Sequence, residues 1–264
     1  LFNLPFQDPV TAQKRAESRA RYAMEKAVPW SEAKPPKGRR DIGIIAETYE
    51  IENPMDLVFP DAPVIMAGKG EDNCLYSGCR TLRYSKKIFP VLNGLPVTDA
   101  PDMWHDHGRA YFTEDVVIPT LEFLKGSKWK PWMSLSPSEV WTARSGVRAA
   151  TKKVVLGGLG MGYLLDQIAQ KKTVVDICVI EKDAELLGWF GERLCQKLEE
   201  KHKVTIDVLH DDIWRMARDF DKETRFLIDI WEGHGEAQFD RDLEKLRGEG
   251  YRVWAWGSPK GSRY

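Results

Sequence analysis

The chain has few cysteines, no long apolar run and almost no net charge, and each shortage removes a class of protein. Four cysteines in 264 residues cannot lace a disulfide scaffold, so a reducing compartment is the default and a cytoplasmic location is expected. No stretch of ~18 consecutive apolar residues is present, which rules out a membrane-spanning helix and predicts no membrane partner. Leu1 to Gln13 lack the basic start and apolar centre of a secretion signal. Thirty-nine basic residues stand against forty acidic ones, a net charge of −1. A chain that neutralises many phosphates is usually more basic, so generic nucleic-acid binding is not expected. What remains is a globular chain, 42% apolar and 30% charged, long enough for one large domain or two modest ones.

Three compositional zones follow one another, at residues 1–40, 41–130 and 131–264. In the first, Asp8 and Pro9 suit the start of a helix over 10–27, and a solvated face explains its basic residues better than an anionic partner does. Residues 29–40, with Pro35-Pro36, read as a linker. The second zone is β-rich: residues 41–51, 62–67, 79–88 and 109–113 are enriched in β-branched or aromatic side chains. Asn93-Gly94 predicts a hairpin turn between 89–92 and 95–98, and residues 114–125 read as a helix covering the sheet.

From about residue 131 the period changes. A helix over 136–149 opens with Ser136-Pro137, and Glu139 in its first turn complements the helix dipole. Strands over 153–158, 173–181, 204–210, 225–231 and 251–256 then alternate with helices over 162–171, 183–202, 212–219 and 236–248. Such alternation through short loops predicts an α/β fold, a parallel sheet wound right-handedly with helices on both faces.

In such sheets a ligand binds at the carboxyl ends of the strands, near the point where strand order reverses. The first strand ends in Gly157-Gly158-Leu159-Gly160-Met161-Gly162 and runs into a helix. Gly158, Gly160 and Gly162 form G-x-G-x-G. A dinucleotide fingerprint would put its third glycine at Tyr163, and the Lys-Ser/Thr of a phosphate loop is absent. Close helix–strand packing also explains such glycines, but a ligand explains them better. Glu181 ends the second strand about 20 residues beyond the loop, where a carboxylate can accept from both ribose hydroxyls. At an open strand end it would matter little to the ligand-free protein. The third strand ends in His210-Asp211-Asp212-Ile213-Trp214, and the fourth reaches Asp229-Ile230-Trp231-Glu232.

In that order, GGLGMG, VIEKD, VLHDDIW and FLIDIWEG resemble the class I S-adenosylmethionine-dependent methyltransferases, over roughly residues 150–256. The resemblance implies a Rossmann-like fold, S-adenosylmethionine as cofactor and an unidentified small-molecule methyl acceptor. It implies that Gly158, Gly160 and Gly162 wrap the methionine and ribose portions and that Glu181 holds the ribose hydroxyls. Asp212 would accept from the adenine amino group, with Ile213 beside the ring and Asp211 as the competing acid. Asp229, Trp231 and Glu232 would stand at the reaction site. The loop opens with Leu156-Gly157 where the family usually has an acid. Its Gly-Gly start is closer to spermidine synthases, which share the fold, and residues 86–112 loosely resemble that branch. An aminopropyltransferase is therefore the alternative, although Glu232 stands where that branch has a second Asp. A non-catalytic binding protein that retains the fold is the third reading. Two strands that the family adds beyond Trp256 are expected either to be absent or to be replaced at the sheet edge by residues 41–130.

Cys74 and Cys79 with His105 and His107 offer zinc-ligand types, but C-x₄-C followed by H-x-H is not a common structural spacing, and no metal is expected. Cys178 and Cys195 read as core. Most of the ten tryptophans read as filling between zones, with Trp231 the exception at the reaction end. Whether the chain forms a homo-oligomer is left open.

Overall fold

The computed structural model describes residues 9–33, 45–68, 73–91, 95–97, 108–231 and 236–258. Helix α1 (Pro9–Lys26) comes first. Its weak apolar stripe leaves Val10, Tyr22 and Met24 exposed. Asp8, its expected cap, lies outside the described residues.

The β-rich zone supplies β1 (Ile45–Ala46), β2 (Val64–Met66), β3 (Leu75–Tyr76), β4 (Leu82–Phe89), β5 (Leu95–Val97), β6 (Gly108–Phe112), β7 (Val116–Lys125) and β8 (Lys128–Ser134). One sheet runs β1-β6-β5 and another β2-β4-β7-β8, with β3 paired on β4. Two expectations fail here. Residues 114–125 hold a strand, not a helix: Val116, Val117, Ile118 and Thr120 stiffen the chain toward β geometry, and Pro119 opposes helical bonding. Pro119 is tolerated because it lies one residue beyond the last β7–β8 pair, Thr120 with Ser134. Among the described residues the expected hairpin also does not pair, since β5 runs antiparallel to β6 while β4 joins β2, β3 and β7. Asn93-Gly94 itself lies outside the described residues. Strand β8 crosses residue 130, so the hairpin β7–β8 carries the second zone into the third. The buried Arg83–Glu122 pair, 2.8 Å apart, bonds β4 to β7.

The last zone contains α2 (Pro137–Ala149), β9 (Lys152–Gly157), α3 (Tyr163–Ala169), β10 (Val174–Glu181), α4 (Ala184–Leu186), α5 (Glu192–His202), β11 (Thr205–His210), α6 (Ile213–Met216), β12 (Arg225–Ile228), α7 (Arg241–Gly248) and β13 (Arg252–Ala255). A π turn, Leu187–Gly191, joins α4 to α5. All five strands are parallel, in the order β11-β10-β9-β12-β13. The order reverses beside β9, the first strand and the middle of the sheet.

Alternation along each strand splits the core. Val154, Leu156, Ile177, Val179 and Leu227 pack with Leu165, Ile168, Leu194 and Leu198 of α3 and α5. Val155, Ile180, Phe226, Ile228 and Val253 pack with Ile213, Leu243 and Leu246 of α6 and α7. The protein is therefore α/β, a parallel sheet with helices on both faces beside a mixed sheet. Leu82, Tyr84 and Leu121 of the mixed sheet belong to the first of these clusters, so the two zones share one core. Among the described residues no strand pairs with the outer edge of β13, and the β-rich zone keeps its own sheets.

Candidate functional site

The carboxyl ends of β9, β10 and β12 are laced together by backbone bonds. Gly158 N–H donates to Ile180 O at 2.9 Å and Asp229 N–H to Gly157 O at 2.8 Å. Gly158, Gly160 and Gly162 all take positive φ, at 87°, 58° and 76°. Side chains there would be strained, and space forbids them too. A Cβ on Gly158 would fall 2.3 Å from the Asp229 carbonyl oxygen, one on Gly160 2.9 Å from the Met133 sulfur, and one on Gly162 2.6 Å from Leu194. The loop's glycines therefore serve packing first.

Above the loop lies a cavity of about 540 Å³, within the range of small-molecule sites. Gly158 and Gly160 line it, whereas Gly162 begins α3 beneath Leu194 and is not part of the wall. Six acidic residues are among the described residues that line it: Glu139, Glu181, Asp183, Asp211, Asp212 and Asp229. Among the described lining residues one is basic, Lys182. Trp132, Met133, Ser134 and Leu135 come from β8 and the turn after it, so the hairpin of the β-rich zone builds one wall.

Glu181 is only 7% exposed and is not at an open strand end. Its Oε2 accepts from Leu159 N–H and its Oε1 from Asp183 N–H, both at 2.8 Å. The carboxylate thus pins the glycine loop to the turn after β10, which corrects the expectation that it leaves the ligand-free protein unaffected. Asp212 caps α6 by accepting from Trp214 N–H at 3.0 Å, and its other oxygen holds Lys182 Nζ at 2.7 Å. Asp211 accepts from its neighbour's N–H at 2.6 Å and from Arg215 at 2.5 Å. The Lys182 ammonium holds the Asp212 carboxyl below the usual range, and the Arg215 guanidinium does the same for Asp211. Ile213 is buried beside them.

The other end of the cavity is different. Asp229 is half-buried just past β12, and desolvation pushes its carboxyl up to about 7. No described group donates a hydrogen bond to that carboxyl. Glu139, in the first turn of α2, accepts from Ser134 N–H at 2.9 and 3.2 Å. Desolvation, with repulsion from Asp229, raises Glu139 to about 8. Two carboxyls that cannot both ionise cheaply share one wall. Glu139 reads from sequence as a dipole-complementing residue, and no local signal shows that α2 begins beside the end of β12.

The aromatic residues sort cleanly. Trp132, Trp214, Trp231 and Trp256 line the cavity. Trp256 Nε1 donates to Thr142 Oγ1 at 2.9 Å, fixing that ring to α2. Trp231 Nε1 donates to Asp240 at 3.3 Å, and its ring lies 6.3 Å from that of Trp214. Trp254 is buried against α2 and Trp141 stacks on Trp30, so these two fill the interior as expected. Tyr163 also lines the wall, its hydroxyl raised to about 12 by burial. Glu232, His105 and His107 lie outside the described residues. Among the described residues no group of three or more His, Cys, Asp or Glu is arranged to hold a metal ion. No helix among them is long and apolar enough to cross a membrane.

In comparisons with protein-family models, with curated proteins and with solved structures, nothing matches the chain.

Proposed function

We propose that the chain is a class I, Rossmann-like methyltransferase that binds S-adenosylmethionine and methylates a small molecule. The observation that carries this reading is the convergence of Gly158, Gly160, Glu181, Asp212 and Asp229 on one cavity at adjacent carboxyl ends of a parallel sheet. The donor set fits the cofactor. Glu181 keeps lone pairs free beyond its two amide bonds, enough to accept from ribose hydroxyls. Asp212 can accept from the adenine amino group beside Ile213, since its Lys182 partner is an exposed ammonium whose surface pairing is weak. The Gly158–Gly160 backbone lets the methionine and ribose portions approach closely.

When bound, the cofactor supplies a methyl carbon on a sulfonium sulfur, open to in-line displacement. The chain's own part is alignment: the loop and Glu181 fix one end, and β8, α2 and Trp231 enclose the other. Asp229, raised toward neutrality, is placed to take a proton from the acceptor.

Thermal-shift titrations with S-adenosylmethionine, its demethylated product, its decarboxylated form and NAD test the reading. Adenosyl ligands should raise the Tm and NAD should not, because a ligand selective for the folded state stabilises it. A shift with NAD alone overturns the assignment. Preference for the decarboxylated form moves the activity to aminopropyl transfer.

A further inference from the structure

We infer that the end of the cavity between α2 and β12 is a subsite for an organic ammonium ion, held by Glu139 and Asp229 within aromatic walls. The inference deepens the proposed function by naming the acceptor class, and it rests on that reading only for where the methyl donor lies.

Charge is the first argument. Among the described residues six acidic ones line the cavity, and the one lysine in its lining, Lys182, is already bonded to Asp212 at the far end. Partner status is the second. Asp211, Asp212, Asp183 and Glu181 each hold donors that fix loops or helix starts. Glu139 accepts from the Ser134 amide and is also held by the Ser134 side chain and the Ser136 amide, whereas Asp229 holds no donor among the described residues. A half-buried carboxyl left without a donor is costly, and a cation with several N–H groups is the ligand that removes that cost. The third argument is the wall itself. Trp132, Trp231, Trp256 and Tyr163 line the same cavity, and bonds to Thr142 and Asp240 hold two of those rings in place. The negative faces of such rings attract a desolvated ammonium. An anion would meet two carboxyls with no cation for it among the described residues. A divalent metal would find only two carboxyl side chains among the described residues where it needs more oxygens. Burial raises both carboxyls, and an arriving ammonium would return them to the charged form.

The transfer this implies balances. One carboxylate takes a proton from the ammonium, leaving a nitrogen lone pair. That pair forms the N–C bond to the methyl carbon while the C–S bonding pair passes to sulfur, which ends neutral. The methylated ammonium leaves, and the carboxylic acid returns its proton to water.

The test is calorimetry on the full chain at pH 8, with phenethylamine and 1,4-diaminobutane against 2-phenylethanol and 3-phenylpropionate. At least one amine should bind at least tenfold more tightly than the alcohol, and the carboxylate should not bind. Asp229→Asn and Glu139→Gln should each weaken the amine at least tenfold while leaving S-adenosylhomocysteine within about threefold. The wild-type selectivity needs no variant, so a variant that fails to fold does not remove the test. Failure of both amines to bind, equal binding of the carboxylate, or unchanged amine affinity in both variants overturns the subsite. Amine binding without S-adenosylhomocysteine binding overturns the cofactor reading and leaves the subsite standing.

Discussion

At the β10–β11 end of the cavity every carboxyl already holds a donor, whereas at the α2–β12 end Asp229 holds none among the described residues and only Glu139 is bonded, by Ser134 and the Ser136 amide. The first end is finished before any ligand arrives, so its acids serve the fold as well as binding. The second keeps its acids at the fold's expense, in a place that desolvates them. Changes at the first end should cost stability and affinity together. Changes at the second should cost function and return stability.

The largest effect expected is on turnover. With an amine acceptor, Asp229→Ala should slow methyl transfer by about 10²–10⁴-fold, the range of a general base, while cofactor affinity stays within about threefold. Single-turnover kinetics beside a cofactor titration measure both, and a parallel fall in the two would place Asp229 among the cofactor's ligands. Next comes the loop. Gly158→Ala should cost roughly 3 kcal/mol or more in urea unfolding, because a strained positive φ adds to overlap with the Asp229 carbonyl. Gly68, at φ 76° with open space around it, is the control and should lose only about 1–2 kcal/mol on the same change. A Gly158 loss no larger than the control would mean that the loop relaxes freely.

Glu181→Ala should cost the ligand-free protein about 2 kcal/mol, since the Leu159 and Asp183 amides lose their acceptor. Equal unfolding midpoints for mutant and wild type would return Glu181 to a purely ligand-facing role. The smallest effect runs the other way. A carboxyl raised to about 7 in the folded protein keeps its proton while the unfolded chain loses it near 4. The native state then binds more protons between those values, so stability falls as pH rises from about 4 to about 7. Asp229→Asn removes that loss, and should raise the Tm at pH 8 and hardly at all at pH 4. A Tm difference independent of pH would show that the carboxyl's ionisation is not the cause.

The parallel sheet was legible because each strand there is a short apolar run closed by a loop residue with its own chemistry. Strands ending at Glu181 and His210 keep their expected ends, and although β9 stops at Gly157 rather than 158 and β12 at Ile228 rather than 231, Glu181, Asp212 and Asp229 meet as their order predicts. The β-rich zone was less legible. Residues 116–125 are flanked by acids and contain Glu122 and Lys125, a mixed pattern that hides a strand lying between two neighbours and buried along most of its length. Asn93-Gly94 gives a turn signal, but strand partners are chosen by distant sheets that local residues do not specify. Glu139 was hidden for the same reason. Its capping position accounts for it fully until the fold brings β12 alongside. The burial of Glu181 was likewise invisible, because it depends on Leu159 folding back from the loop.

The most direct test of the account is a titration of wild-type and Glu181→Ala protein with S-adenosylhomocysteine, each checked for folding at the temperature used. Saturable one-to-one binding to the wild type, weakened about 10- to 100-fold in the mutant, is what charge-assisted bonds to ribose hydroxyls predict. Equal affinity in the two proteins, or no binding to the wild type at any attainable concentration, would contradict it.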